Sequence, residues 1–162
     1  MTQHPARTPQ DMPTRDEVLA LSGLAFIEAI RDGKLAGPPI SGVMNIHVHA
    51  AERGCVRFRG TPRFEHLNPM GGVHGGWYGT ILDSALACAI STVLDAGVGQ
   101  TTLEYKVNLT RAIPLDLEVE CTARVQHAGR TTAVAEAEIR GVADGRLYAT
   151  GSTTCLIFQP RG

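Results

Sequence analysis

Between Glu65 and Asp95 the sequence carries one formal charge, Asp83, set among Ile81, Leu82, Ala85 and Leu86. Taking a carboxylate out of water costs several kcal/mol unless it is paired or hydrogen-bonded. A lone Asp in such a setting therefore either turns to the wet side of its element or marks a site. Just upstream runs Asn68-Pro69-Met70-Gly71-Gly72-Val73-His74-Gly75-Gly76, a stretch of turn-forming residues. Such a loop leaves bare N–H groups at the start of the element that follows, where a helix dipole favours negative charge. Glycine lets a ligand approach that backbone closely. Acyl transfer asks for this pairing, a carboxylate together with preorganised donors aimed at a carbonyl oxygen that becomes anionic. Taken alone, the loop is also readable as a plain glycine-rich connection.

The residues that follow must position these groups. Trp77 to Leu94 is too long for a strand, is alanine-rich, and is apolar nearly all the way round, which predicts a helix buried on most sides. Ahead of it, Val43 to Ala50 alternates, with Ile46, Val48 and Ala50 on one face and Asn45, His47 and His49 on the other. Gly54 then marks a turn, and Cys55 to Arg59 alternates again, predicting a hairpin. After the helix come four strand-like runs: Thr101 to Leu109, Leu115 to His127, Thr131 to Val142 and Leu147 to Phe158. Ala128-Gly129 and Asp144-Gly145 join the last three into an antiparallel meander. At the other end, Thr14 with Glu17 forms a capping box. Val18, Leu21, Ala25 and Ala29, widened by Phe26 and Ile30, predict one amphipathic helix closing at Gly33. Residues 1–13 are polar and proline-bearing and read as a disordered lead-in, leaving 14–162 as one domain. The architecture is α+β, one sheet wrapped around one helix.

Asn68-x5-His74-Gly75-Gly76-x6-Asp83, followed by Thr101-Thr102-Leu103-Glu104-Tyr105-Lys106-Val107-Asn108-Leu109-Thr110-Arg111, closely resembles the PaaI-like (phenylacetate-degradation type) hotdog thioesterases. The resemblance covers Asn68 to Arg111 by motif and the meander by pattern. It implies a hotdog fold and hydrolysis of an acyl-CoA thioester in a site shared between two subunits. It implies Asp83 as the catalytic carboxylate, nucleophile or general base. Gly75 is implied as the backbone donor that polarises the carbonyl, and Asn68 as the residue that positions substrate or water. His74, Gly76, Thr102 and Arg111 are implied contacts to substrate, with Thr102 a hydroxyl on the facing strand that holds the attacking water. The chain departs from the pattern at Arg111-Ala112, where many relatives have Arg-Pro. Its proline is delayed to Pro114, which bears on the strand exit and on any contact of Arg111 with the CoA phosphates. A homodimer, assembled further into a tetramer, is the expected active unit, because a sheet around one helix leaves long edges to pair.

Other readings are narrower. With 15 Lys+Arg against 16 Asp+Glu there is no concentrated basic surface for nucleic acid. No apolar run reaches the roughly 20 residues of a membrane span, and no signal-peptide core is evident. Cys55, Cys88, Cys121 and Cys155 have no chelating spacing and read as reduced, pointing to a cytoplasmic location. His47 and His49 share a strand face but lack a third ligand, so no metal is expected, and no cofactor. Arg57, Arg59 and Arg63 read as a solvated hairpin face. Two other functions fit such a fold: a hydratase or dehydratase, which would need His74 to face the acyl chain, and a non-catalytic acyl-CoA binder or regulatory module. The second has no use for a desolvated Asp83.

Overall fold

The computed structural model describes residues 3–159. The hairpin forms as β1 (Ile46–Glu52) and β2 (Cys55–Gly60), turning at Gly54 with φ +79°. Glycine reaches that backbone region at no steric cost. Four further strands follow the central helix: β3 (Gly99–Leu109), β4 (Val119–Ala128), β5 (Thr132–Gly141) and β6 (Leu147–Phe158). All six make one antiparallel sheet in the order β1-β2-β4-β5-β6-β3. β4, β5 and β6 are the expected meander. β3 pairs with β6 rather than with its chain neighbour β4, so it ends up as a sheet edge. Leu115 to Glu118, read as the start of a strand, instead form a turn. There Asp116 has φ +62° and its N–H donates to the Pro62 carbonyl.

The sheet curls around α4 (Gly75–Ser91), the hotdog architecture. Ile81, Leu82, Ala85, Leu86, Ala89 and Ile90 are fully enclosed against β2, β4, β5 and β6. Burying each of the larger of these side chains is worth about 1.5–3 kcal/mol. The helix stops at Thr92, whose hydroxyl donates to the Ala89 carbonyl (2.6 Å) and accepts the Gly54 N–H (2.8 Å). That contact ties the C-terminus of α4 to the hairpin turn.

The N-terminal helix expected from Thr14 to Gly33 is two helices, α1 (Arg15–Leu19) and α2 (Gly23–Arg31). Thr14 and Glu17 make the capping box as expected. The break comes from a second cap, since Ser22 Oγ accepts the Ala25 N–H at 3.3 Å. Gly23 then sits against the end of α4, where a Cβ would fall 1.8 Å from the Ser91 carbonyl oxygen, and its N–H donates to Leu94 O. Ile27 and Ile30 are the buried residues of α2, with Phe26 packed on the core beside them. The stripe therefore turns a few residues from the one inferred for a continuous helix. Within residues 3–13, read as a lead-in, a short stretch pairs with Gly37. Ala6 is buried, its N–H bonds Gly37 O at 2.8 Å, and Gly37 N–H bonds His4 O at 2.9 Å. A short helix, α3 (Pro39–Val43), leads from there into β1.

Candidate active site

The loop before α4 owes its shape to Asn68. Its Oδ1 accepts the N–H groups of Met70 (2.9 Å) and Gly72 (3.2 Å), and its carbonyl accepts Gly71 N–H. Pro69 suits the second position of that turn, and Gly71 takes the φ of +79° that the turn demands. The loop delivers His74 as the N-cap of α4, with Nδ1 accepting Gly76 N–H at 2.9 Å. This places the ring's proton on Nε2 and holds the ring over the helix end. Trp77 N–H is taken by His74 O. Gly75 N–H, at the first helical position, has no hydrogen-bond partner among the described residues. His74, Gly75 and Gly76 are exposed, so a bare donor faces outward from the positive end of a buried helix.

Asp83 lies two turns further on and is half-buried, not enclosed. The expectation of a charge sealed in an apolar helix needs that correction, and the reason is geometric. Gly76, Thr80, Asp83, Ser84, Ala87, Cys88 and Ser91 make one continuous stripe of α4 that stays exposed or half-buried. Along this stripe β3 runs in the opposite direction. Gln100 Nε2 reaches Ala87 O and Ser91 Oγ, Thr102 reaches Asp83, Tyr105 lies against Gly79, and Leu109 against Gly75. The Thr102 hydroxyl donates to Asp83 Oδ1 at 3.1 Å. A bulge between Thr102 and Glu104 re-phases the strand. Beyond it Tyr105, rather than Glu104, faces the helix, which keeps a second carboxylate away from Asp83. Gln100 Oε1 is buried without a hydrogen-bond partner among the described residues.

Burial, with the Asp83 carboxylate adding, pushes the Cys88 thiol up to about 12. Burial also raises Cys155, whose sulfur lies 4.0 Å from the Thr102 hydroxyl.

Arg111 is exposed and makes no ion pair among the described residues. Its backbone is firmly held although Ala112, not a proline, follows it. Thr110 and Arg111 N–H both donate to Tyr148 O, while Tyr78 Oη donates to Arg111 O (3.3 Å) and accepts Ile113 N–H (2.7 Å). Tyr78 thus pins the strand exit to the first turn of α4, a role its apolar helical context did not reveal. His47 and His49 stand on the far strand β1, where His49 Nε2 lies 3.9 Å from Glu120, a carboxylate that Arg59 and Arg57 also approach.

The chain thus brings Asn68, His74, Gly75, Gly76 and Arg111 to the N-terminal end of α4, and Asp83 with Thr102 to its middle. Eight residues of helix separate Gly75 from Asp83, about 12 Å along the axis. One carbonyl group cannot touch both within a single chain.

Residues 70–148 match the model of the thioesterase superfamily. A conserved protein of Pseudomonas aeruginosa is 32% identical, with a TM-score of 0.69 over 74% of this chain and 93% of that one. A hypothetical thioesterase of Streptococcus pneumoniae, whose structure was determined with coenzyme A, is 25% identical, with a TM-score of 0.67 over 76% and 93%. Mouse acyl-coenzyme A thioesterase 13 is 26% identical over 90 residues, 56% of this chain and 64% of that protein. The chain spans less than two thirds of the length of the curated relatives it matches. The fold, the family model and the well-covered Pseudomonas structure agree: the chain belongs to the thioesterase superfamily.

Proposed function

We propose that the chain hydrolyses acyl-CoA thioesters to a free acid and CoA, with Gly75 N–H and Asp83 acting on one carbonyl across two copies of the chain. The observation that carries this reading is the unpartnered Gly75 N–H at the exposed start of α4, about 12 Å from the carboxylate on the same helix. Neither group completes a site within its own chain. A second copy supplies what is missing. The free edge of β3 offers an unpaired ladder, and Leu103, Tyr105 and Leu109 expose apolar surface along it. Docking two such edges about a two-fold axis brings the open stripe of one α4 towards the N-terminal end of the other.

In that site the thioester oxygen accepts from Gly75 N–H, whose position on the helix dipole stabilises the charge that develops. The Asp83 carboxylate, held by the Thr102 hydroxyl, either attacks the carbonyl carbon or takes the proton of the water that does. Direct attack expels CoA thiolate and leaves an acyl–Asp83 anhydride that water then hydrolyses to the acid and the free carboxylate; activated water expels CoA thiolate and gives the acid in one displacement. Arg111, exposed and without an ion pair among the described residues, would meet the phosphates of CoA, and the Streptococcus relative with bound coenzyme A supports that class of ligand. Asn68 acts through the loop, its Oδ1 fixing the turn that aims Gly75.

The test is complementation in a free-thiol release assay. Asp83→Ala removes the carboxylate. Gly75→Pro removes the N–H at the helical position that best tolerates proline, and His74 already has the extended ψ of 138° that a following proline prefers. Each variant alone is expected to lose about 100-fold or more in kcat. Mixed and reassembled, they regain up to a quarter of wild-type activity through hybrid dimers carrying one intact site, following the statistics of random pairing. A fully active monomer, or no recovery in verified hybrid dimers, would refute the shared site.

A further inference from the structure

A cavity of about 550 Å3 opens beside the N-terminus of α4, and His74 and Gly76, the neighbours of the bare Gly75 donor, are both in its lining. Its walls are largely apolar, built from Val43, Met44, Leu67 and Trp77. The wall at the end of α3 is fixed from behind by two buried rings. Trp77 Nε1 donates to Met44 O at 2.8 Å. His66 Nδ1 accepts Arg63 N–H at 2.8 Å, which leaves the proton on Nε2, 2.8 Å from Val43 O. Together these bonds satisfy the last carbonyls of a short helix, which would otherwise need water. Trp77 is two residues from Gly75, so one rigid unit carries both the wall and the donor.

Apart from the Nε2–H of the exposed His74, the polar side chains of the lining other than Glu65 are already committed. Both ring nitrogens of His66 and the indole N–H are engaged within the fold, and the Thr80 hydroxyl donates to Gly76 O at 2.8 Å. The formal charge left in the lining is Glu65, exposed and acidic. An apolar occupant leaves no buried polar group unpaired, whereas one ending in a carboxylate meets a like charge. At the rim, Val43 is 67% exposed, an apolar surface that a bound chain would cover.

From this geometry we infer that the cavity holds the acyl group, that the substrates are acyl-CoAs with uncharged, apolar acyl groups, and that Val43 and Met44 set the size accepted. The inference rests on the thioesterase reading above. A carbonyl on Gly75 N–H places its sulfur side towards Arg111 and its acyl side towards this wall, so the two halves of the substrate are sorted by polarity.

The test compares kcat/KM for acetyl-, hexanoyl-, decanoyl-, phenylacetyl- and glutaryl-CoA. In wild type, glutaryl-CoA is expected to be at least about tenfold poorer than hexanoyl-CoA, with the gap narrowing in Glu65→Gln. Val43→Phe and Met44→Phe fill the cavity and are expected to lower the decanoyl-to-acetyl ratio by about tenfold or more. Val43→Ser provides an independent variant on an exposed position, where folding is little affected, and should lower the same ratio through lost apolar contact. Equal use of glutaryl- and hexanoyl-CoA, or a ratio within about twofold of wild type in all three wall variants, overturns the inference while leaving the thioesterase reading standing. No turnover with any ester overturns that reading, and this inference with it.

Discussion

The two sides of α4 are built to opposite standards. The side facing β2, β4, β5 and β6 is closed, with six consecutive inward residues from Ile81 to Ile90 at 0% exposure. The side along β3 is left open, lined by small or polar residues from Gly76 to Ser91. Both belong to one helix, so the difference comes from the choice of side chain at each helical position. Aliphatic groups build the closed side, and three hydroxyls, a thiol, a carboxylate, an alanine and a glycine build the other. An unfinished side on a buried helix is a liability unless something else covers it. Here that side also carries Asp83, its Thr102 partner and the approach to Gly75. The division separates stability from chemistry, and it is open to attack from either side.

The largest expected effect lies on the open side. Asp83→Asn keeps shape and removes the charge, so kcat should fall by between about 100- and 10,000-fold while the thermal midpoint holds or rises. A single-turnover reaction in 18O-labelled water then sharpens the role. Label entering the Asp83 carboxyl reports attack by the side chain, whereas label in the released acid alone is given both by activated water and by water opening an acyl–Asp83 anhydride at the acyl carbon. Next in size is Leu86→Ala on the closed side, expected to cost about 2–5 kcal/mol in denaturant unfolding and to leave kcat of the folded fraction near wild type. If the first change destabilised and the second slowed turnover, the division would collapse. A smaller effect is expected at Thr102. Thr102→Val preserves volume but deletes the donor to Asp83, and about a tenfold loss in kcat should be rescued by Thr102→Ser. Equal rates in the valine variant would reduce Thr102 to packing.

How legible these features were in the sequence follows the same division. The closed side was plain, because an apolar run of helical length admits few other placements, and the meander was plain from its β-branched residues and Asp144-Gly145 turn. The break between α1 and α2 was hidden. Ser22 reads as a mid-helix residue until the close approach of Gly23 to Ser91 is known, and that contact spans 68 positions of chain. The proposed site residues were visible as a motif, but their geometry was not. Strand alternation alone could not decide between Thr101 and Thr102, and the bulge at Leu103 leaves no mark in composition. The anchors of the cavity wall were the least visible, since His66 and Trp77 act on backbone carbonyls more than twenty and thirty positions away, respectively. Such bonds have no partner residue type to search for.

The smallest expected effect separates the two sides with one reagent. Cys88 belongs to the open stripe and keeps part of its surface accessible, but its sulfur is surrounded closely enough that desolvation, with Asp83 adding, raises the thiol to about 12. Cys121 lies on the covered face of β4 and is raised by burial first, then by Glu138 and Glu120. The thiolate is the reactive form, so at mildly alkaline pH both should react with iodoacetamide far more slowly than a free thiol, by roughly a thousandfold for Cys88. Asp83→Asn removes a like charge from the surroundings of Cys88 and Cys155 but not from those of Cys121. The Cys88 pKa should fall and its alkylation rate rise several-fold, while Cys121, whose neighbouring carboxylates are unchanged, keeps its rate. Burial remains the larger cause, so neither thiol should approach free-thiol reactivity. Peptide mapping by mass spectrometry reads both cysteines in one experiment. A parallel rise at Cys121 would mean that the substitution had loosened the whole core, and that the open and closed sides of α4 are not independent.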